Sequence, residues 1–217
     1  MPIPEAFITL EVFNRDGKLL RRHKQRSHSW TRNAYNLLLM FMGKKCATTS
    51  TFGAGHLNYK DTAEAVQYHP SNAIWMGRSG STYNYNTELV DHGFRGDSAS
   101  TSNGIVVGSG DNAESFEDYA LQTLIAEGSG AGQLNYILSE VPVASYEAGP
   151  KTWSITMVRY MNNNSGGNIN VNEAALVAEE NYQKMACYTR DKLPATVTVP
   201  DTGQLKVTYT IQLTYPA

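Results

Sequence analysis

Asp111, Glu114, Glu117 and Asp118 place four carboxylates within eight positions, a grouping that suits a hard cation such as calcium. Their spacing does not follow a calcium-loop pattern, and exposed acidic turns are common, so the expectation is an acidic turn without a metal. The five histidines, His23, His28, His56, His69 and His92, are scattered and lack the spacing that sets two ligands on one helical face. Cys46 and Cys187 stand far apart with no ligand spacing around them, and both are expected to be free thiols. Gly77-Arg-Ser-Gly and Gly96-Asp-Ser-Ala do not form the Gly-x-Ser-x-Gly elbow that exposes a nucleophilic serine. Gly108-Ser-Gly110 and Gly128-Ser-Gly-Ala-Gly132 match neither the Walker nor the dinucleotide pattern and read as tight turns. Glycoside hydrolysis needs two carboxyls about 5–10 Å apart, and no pair is singled out by the sequence. The expectation is therefore a non-enzymatic chain with no catalytic, cofactor or metal residue.

Two groups of side chains point to binding instead. Nine of the 18 Lys and Arg residues lie in the first 45 positions, and Arg21, Arg22, Lys24 and Arg26 sit in one short run. Such a run can meet phosphates, with Trp30 and Tyr35 near enough to stack on bases. On a strand, however, alternate residues face opposite ways, and basic side chains on a sheet edge discourage strand-to-strand aggregation. With a net charge of −2, an edge strand or an acidic partner surface is preferred, and nucleic acid is not the expected partner. The second group is Tyr68, Trp75, Tyr83, Tyr85 and Phe94, aromatics embedded in Gly, Ser and Asn. They are too many for a solvated linker and are the candidate interface residues. The Tyr and Asn cluster at 83–86 also suits a sugar face, since rings stack on sugars and amides bond hydroxyls.

These groups need a scaffold, and the scaffold reads as all-β. Ala6 to Phe13 and Lys18 to Lys24 flank an Asp16-Gly17 turn and form a hairpin. Ser27 or Ser29 is placed to cap one amphipathic helix at about 29–42, with Trp30, Ala34, Leu37, Leu38 and Phe41 as its core stripe and Gly43 as its stop. Periodicity then lapses over 46–102, read as a long irregular insertion that becomes ordered against a neighbouring subunit. Strands are expected at 104–110, 134–139, 151–161, 169–177, 184–190 and 204–215, with one helical turn at 115–121. Turns at 128–132, 147–150, 162–167 and 200–203 separate them. The expected architecture is an antiparallel β-sandwich in a single domain, 1–217, made of a hairpin plus helix (1–45), the insertion (46–102) and the sandwich body (103–217). Alternation predicts Trp153, Ile155, Met157, Val207, Tyr209 and Ile211 inside. No signal-like segment or run of about 20 apolar residues is seen, so a soluble chain made in the cytoplasm is expected.

Ile105-Val-Val-Gly-Ser-Gly-Asp-Asn-Ala, Asp118-Tyr-Ala-Leu, Asn163 to Glu173, Thr189-Arg190 and Val207-Thr-Tyr-Thr-Ile211 together resemble virion structural proteins of tailed bacteriophages. The similarity spans roughly 103–215, and the hairpin and Ser27 to Asn33 fit proteins of this kind. The resemblance implies a non-enzymatic β-sandwich present in many copies on a head, neck or tail. Its partners would be itself and other virion proteins, and its location the virion, with no membrane. The alternatives are a carbohydrate- or receptor-binding module of a tail fibre or baseplate, with glycan as partner, and a glycan hydrolase.

Overall fold

The computed structural model describes residues 5–43, 57–67, 94–180 and 184–214. In chain order the elements are β1 (Glu5–Phe13), β2 (Leu19–Ser27), α1 (Arg32–Gly43), β3 (Tyr59–Lys60), β4 (Val66–Gln67) and β5 (Gly104–Gly108). There follow β6 (Asn135–Tyr136), β7 (Val143–Glu147), β8 (Thr152–Asn162), β9 (Ile169–Glu180), β10 (Lys184–Val199) and β11 (Gln204–Thr214). β1 sets the pattern: Ala6, Ile8, Leu10 and Val12 are buried while Phe7, Thr9 and Glu11 face outward, as the two-residue period of a strand requires. Asn14 shapes the turn that follows, its Oδ1 accepting from the amides of Asp16 and Lys18. Gly17 supplies a φ of 76° there, which side chains disfavour.

One sheet runs β2-β1-β11-β8-β6 with β7 also on β8, and a second runs β10-β9-β5, every pairing antiparallel. The two pack face to face as an all-β sandwich. Its core takes Ile8, Leu10, Met157, Val207 and Tyr209 from the first sheet and Leu176, Val171 and Val197 from the second. The second sheet is covered on its far side too: residues 173–178 of β9 are all buried. α1 packs there against β10, and Glu173 reaches the loop that follows β5.

Among the described residues three arginines are buried, Arg95, Arg159 and Arg190, and the last two are the most enclosed. The Arg159 guanidinium, fully buried, donates to the carbonyls of Asp97, Ser100, Asn103, Ile105 and Ile137 and lies over the Tyr136 ring. Burial lowers its pKa to about 10, but the carbonyl cage accounts for its hydrogens. Arg190 instead meets carboxylates, Glu173 at 2.7 Å and Asp118 at 2.9 Å. Desolvation works against its charge, but the hydrogen bonds to Asp118 and Glu173 outweigh that and hold its pKa above the ordinary value. Glu173 is itself saturated, accepting from the amides of Gly110, Gln122 and Thr123 as well.

Several expectations change. The helix begins at Arg32 rather than 29, because the preceding residues are stitched to β10. Trp30 bridges Thr189, the Thr31 amide donates to Tyr188 O, and the Arg190 amide donates to Ser29 O. Ser27 is not a cap; its hydroxyl donates to Asp191. Of the predicted stripe, Ala34 and Leu37 are buried, but Leu38 is exposed and Met40 takes the inward place. Residues 57–67, inside the expected irregular insertion, form the β3–β4 hairpin on this chain's own body. Asn33 bonds both polar groups of the Lys60 backbone and Asn36 donates to Asn58 O. The expected helical turn at 115–121 is a turn only, with Asp118 accepting from the Ser115 amide. β7 was not foreseen, and β10 runs on to Val199 through register shifts, which accommodate Pro194 where no ladder donor is needed.

Candidate assembly surfaces

The inward face of the first sheet continues past the point where any other described residue covers it. Pairing puts Met157 beside Tyr209, then Ile155 beside Ile211, then Trp153 beside Leu213, all on the same face because each step is two residues. β7 adds Ala144 opposite Ile155 and Tyr146 opposite Trp153. Exposure climbs along this series: Met157 is 3% exposed, Ile155 38% and Trp153 57%, with Tyr146 at 49% and Leu213 at 44%. Two of the six residues predicted inside, Trp153 and Ile155, are thus exposed, while Met157, Val207 and Tyr209 are buried and Ile211 half-buried. Alternation dictates which face a residue takes, not whether an opposing layer reaches it. The Tyr146 and Trp153 rings lie 4.9 Å apart and tilted by 31°, a preformed aromatic pair open to solvent.

A second apolar surface lies on α1. Its inner stripe is Ala34, Leu37 and Met40; Tyr35, Leu38 and Leu39 project outward and are about half exposed. They share a face, being three and four residues apart. Phe116 extends this surface, edge-on to Tyr35 and under the Arg32 guanidinium. A helix apolar on both sides ordinarily has something on both sides. The aliphatic spacing that marks the inner stripe also carries Leu38 and Leu39, so the sequence does not separate the covered side from the open one.

β2 is an edge strand, as preferred from its charge. Its basic residues are engaged within the chain: Arg22 pairs with Glu11, Arg26 with Glu5, Lys24 lies over the Phe7 ring, and Arg21 donates to Thr196 O. Of the candidate interface aromatics, Tyr68, Trp75, Tyr83 and Tyr85 fall outside the described residues. Phe94 is half-buried and packs edge-on against Tyr188 at 4.9 Å, so it belongs to the body. The four clustered acids disperse. Asp111 pairs with Lys192, Glu117 with Arg32, Asp118 with Arg190, and Glu114 approaches His28. Cys187 is a free, fully buried thiol whose pKa is pushed up by desolvation; Cys46 lies outside the described residues.

At the other end of β8, on the outer face, a groove of about 540 Å³ is lined by Asn14, Asn162, Asn164, Gln204 and Tyr160, with Arg15 as its charged side chain. Its amides partly satisfy one another, Gln204 donating to Asn162. No helix among the described residues is long and apolar enough to cross a membrane. Comparison with protein-family models, curated proteins and solved structures gave no match to this chain.

Proposed function

We propose that this chain is a non-enzymatic structural protein of a phage virion, assembling in many copies with itself and with other head, neck or tail proteins. The observation that carries the reading is that one chain exposes two unlike apolar surfaces on different layers, the Tyr146–Trp153–Leu213 row and the Tyr35–Leu38–Leu39 stripe. Two different patches favour head-to-tail contacts, which close into rings or extend into filaments. Aromatic anchors surrounded by aliphatic side chains are the usual centres of interface energy. Burying each such side chain on assembly is worth on the order of 1–3 kcal/mol. The sequence resemblance to virion structural proteins supports the same reading. Purified protein viewed by negative-stain electron microscopy across a concentration series should form rings, tubes or discrete multimers. A population that stays monomeric at every concentration would count against it.

The amide-lined groove favours a second reading, a carbohydrate- or receptor-binding module. Asn and Gln side chains bond hydroxyls and the Tyr160 ring offers a stacking face. A glycan array probed with wild type and with Asn164→Ala separates the two readings, because the groove lies at the opposite end of β8 from Trp153.

A further inference from the structure

Asp191 is a carboxylate at zero exposure between the two sheets. One oxygen, Oδ2, accepts from the Ser27 hydroxyl and the Tyr209 hydroxyl, each at 2.8 Å, while Oδ1 has no hydrogen-bond partner. A buried carboxylate with half its lone pairs unanswered is costly. Its basic neighbours along β10 are turned elsewhere: Arg190 goes to Glu173 and Asp118, and Lys192 Nζ goes to Asp111. What faces Asp191 instead is a second carboxylate and an imidazole. One ligand atom each from His28, Glu114 and Asp191 lies within 4.8 Å of the other two.

His28 Nδ1 also lies 3.1 Å from Ser29 Oγ, so a bound ion would replace that contact and the direct His28–Glu114 contact. Glu114 Oε1 is anchored by the Lys192 amide at 2.6 Å, which leaves Oε2 toward His28 Nδ1 at 3.3 Å. Asp191 is anchored through Oδ2, which leaves Oδ1. Each carboxylate thus has one oxygen anchored by hydrogen bonds and one facing its neighbours in the trio, Glu114 Oε2 toward His28 and Asp191 Oδ1 without a partner, the division by which outer hydrogen bonds orient metal ligands. Ligand atoms around a tetrahedral ion with bonds of about 2.1 Å stand roughly 3.4 Å apart. The His28–Glu114 separation already matches, and Asp191 stands within 4.8 Å of both. An imidazole with two carboxylates favours zinc-like transition ions over calcium or magnesium, which take oxygen ligands.

We propose that His28, Glu114 and Asp191 bind one divalent transition-metal cation of the zinc type, with water completing the shell. The three ligands come from the β2–α1 connection, the loop after β5 and β10, so the ion clips that loop and the first sheet's edge to the second sheet. The site is independent of the assembly surfaces above.

The test uses full-length, tag-free protein stripped with chelator and titrated with Zn²⁺ by calorimetry, with Co²⁺ absorption as the spectroscopic probe. One Zn²⁺ per chain and visible ligand-field bands of Co²⁺ are expected. His28→Ala should weaken binding at least tenfold and abolish the bands; because His28 is 66% exposed, the metal-free melting temperature should stay at the wild-type value. Asp191→Asn, which preserves the side chain's shape, should weaken binding similarly. Absence of saturable Zn²⁺ binding overturns the proposal. So does binding that His28→Ala leaves unchanged, which would place the ion on other residues.

Discussion

The buried interior and the exposed surfaces treat unlike groups in opposite ways. Inside, charge is matched in detail: Arg159 is enclosed by five carbonyls, and Arg190 and Glu173 answer one another and three backbone amides. Outside, apolar side chains stand open, Trp153 and Leu213 at one end of a sheet and Leu38 and Leu39 on the helix. Folding satisfies Arg159, Arg190 and Glu173, leaves Asp191 Oδ1 unanswered, and cannot satisfy the apolar set. The difference locates what the fold itself requires and what is left for a partner, since large contiguous apolar exposure marks contact surfaces rather than ordinary solvent-facing positions.

If that division is right, changes inside should cost stability and changes outside should not. The largest loss is expected for Glu173→Ala, which removes one of the two carboxylates on the buried Arg190 and strands the amides of Gly110, Gln122 and Thr123. Removing one partner of a buried pair costs about 3–5 kcal/mol, measurable by urea denaturation. Gly96→Ala comes next. A Cβ there would lie 2.5 Å from the Arg159 guanidinium and 2.6 Å from Asn103 O, and overpacking against a fixed cage costs about 1–3 kcal/mol. Trp153→Ser and Leu38→Ser should each shift unfolding by no more than about 0.5 kcal/mol, the range of ordinary surface substitutions.

The smallest effect is electrostatic. Glu117, mostly exposed, has its pKa lowered chiefly by its hydrogen bond with Arg32. A carboxylate whose folded pKa lies below its unfolded value adds stability above the unfolded pKa, and that stability is lost as pH falls through the folded pKa. Exposure limits the pair to about 0–1 kcal/mol. Glu117→Gln should therefore be slightly destabilised at neutral pH, and the difference from wild type should vanish in acid, below the normal carboxylate range. A difference that persists in acid would mean that the side chain acts by packing.

The body of the fold was legible because alternation is local. β1, β8 and β11 announce themselves by period two, and the hairpin turn by Asp16-Gly17. What was not legible depends on distance in space. Nothing near Trp153 or Ile155 distinguishes them from Met157 two residues on, because their exposure depends on how far the opposing layer extends. The helix start was misplaced for the same reason: Ser27 and Ser29 have capping chemistry, but pairing with β10 places 29–31 in extended backbone first. The acids at 111–118 looked like one cluster along the chain and separate in space into partners on α1 and β10. Conversely, His28, Glu114 and Asp191 lie far apart in sequence and come together only through the fold.

Sedimentation velocity of wild type beside Trp153→Ser and Leu38→Ser, at matched concentrations, tests the division most directly. Wild type should sediment as multimers that grow with concentration, and each variant should require at least tenfold more protein to reach the same state while keeping the wild-type unfolding midpoint. Variants that assemble as wild type does, or a wild type that remains a monomer throughout, would contradict assembly through these two surfaces.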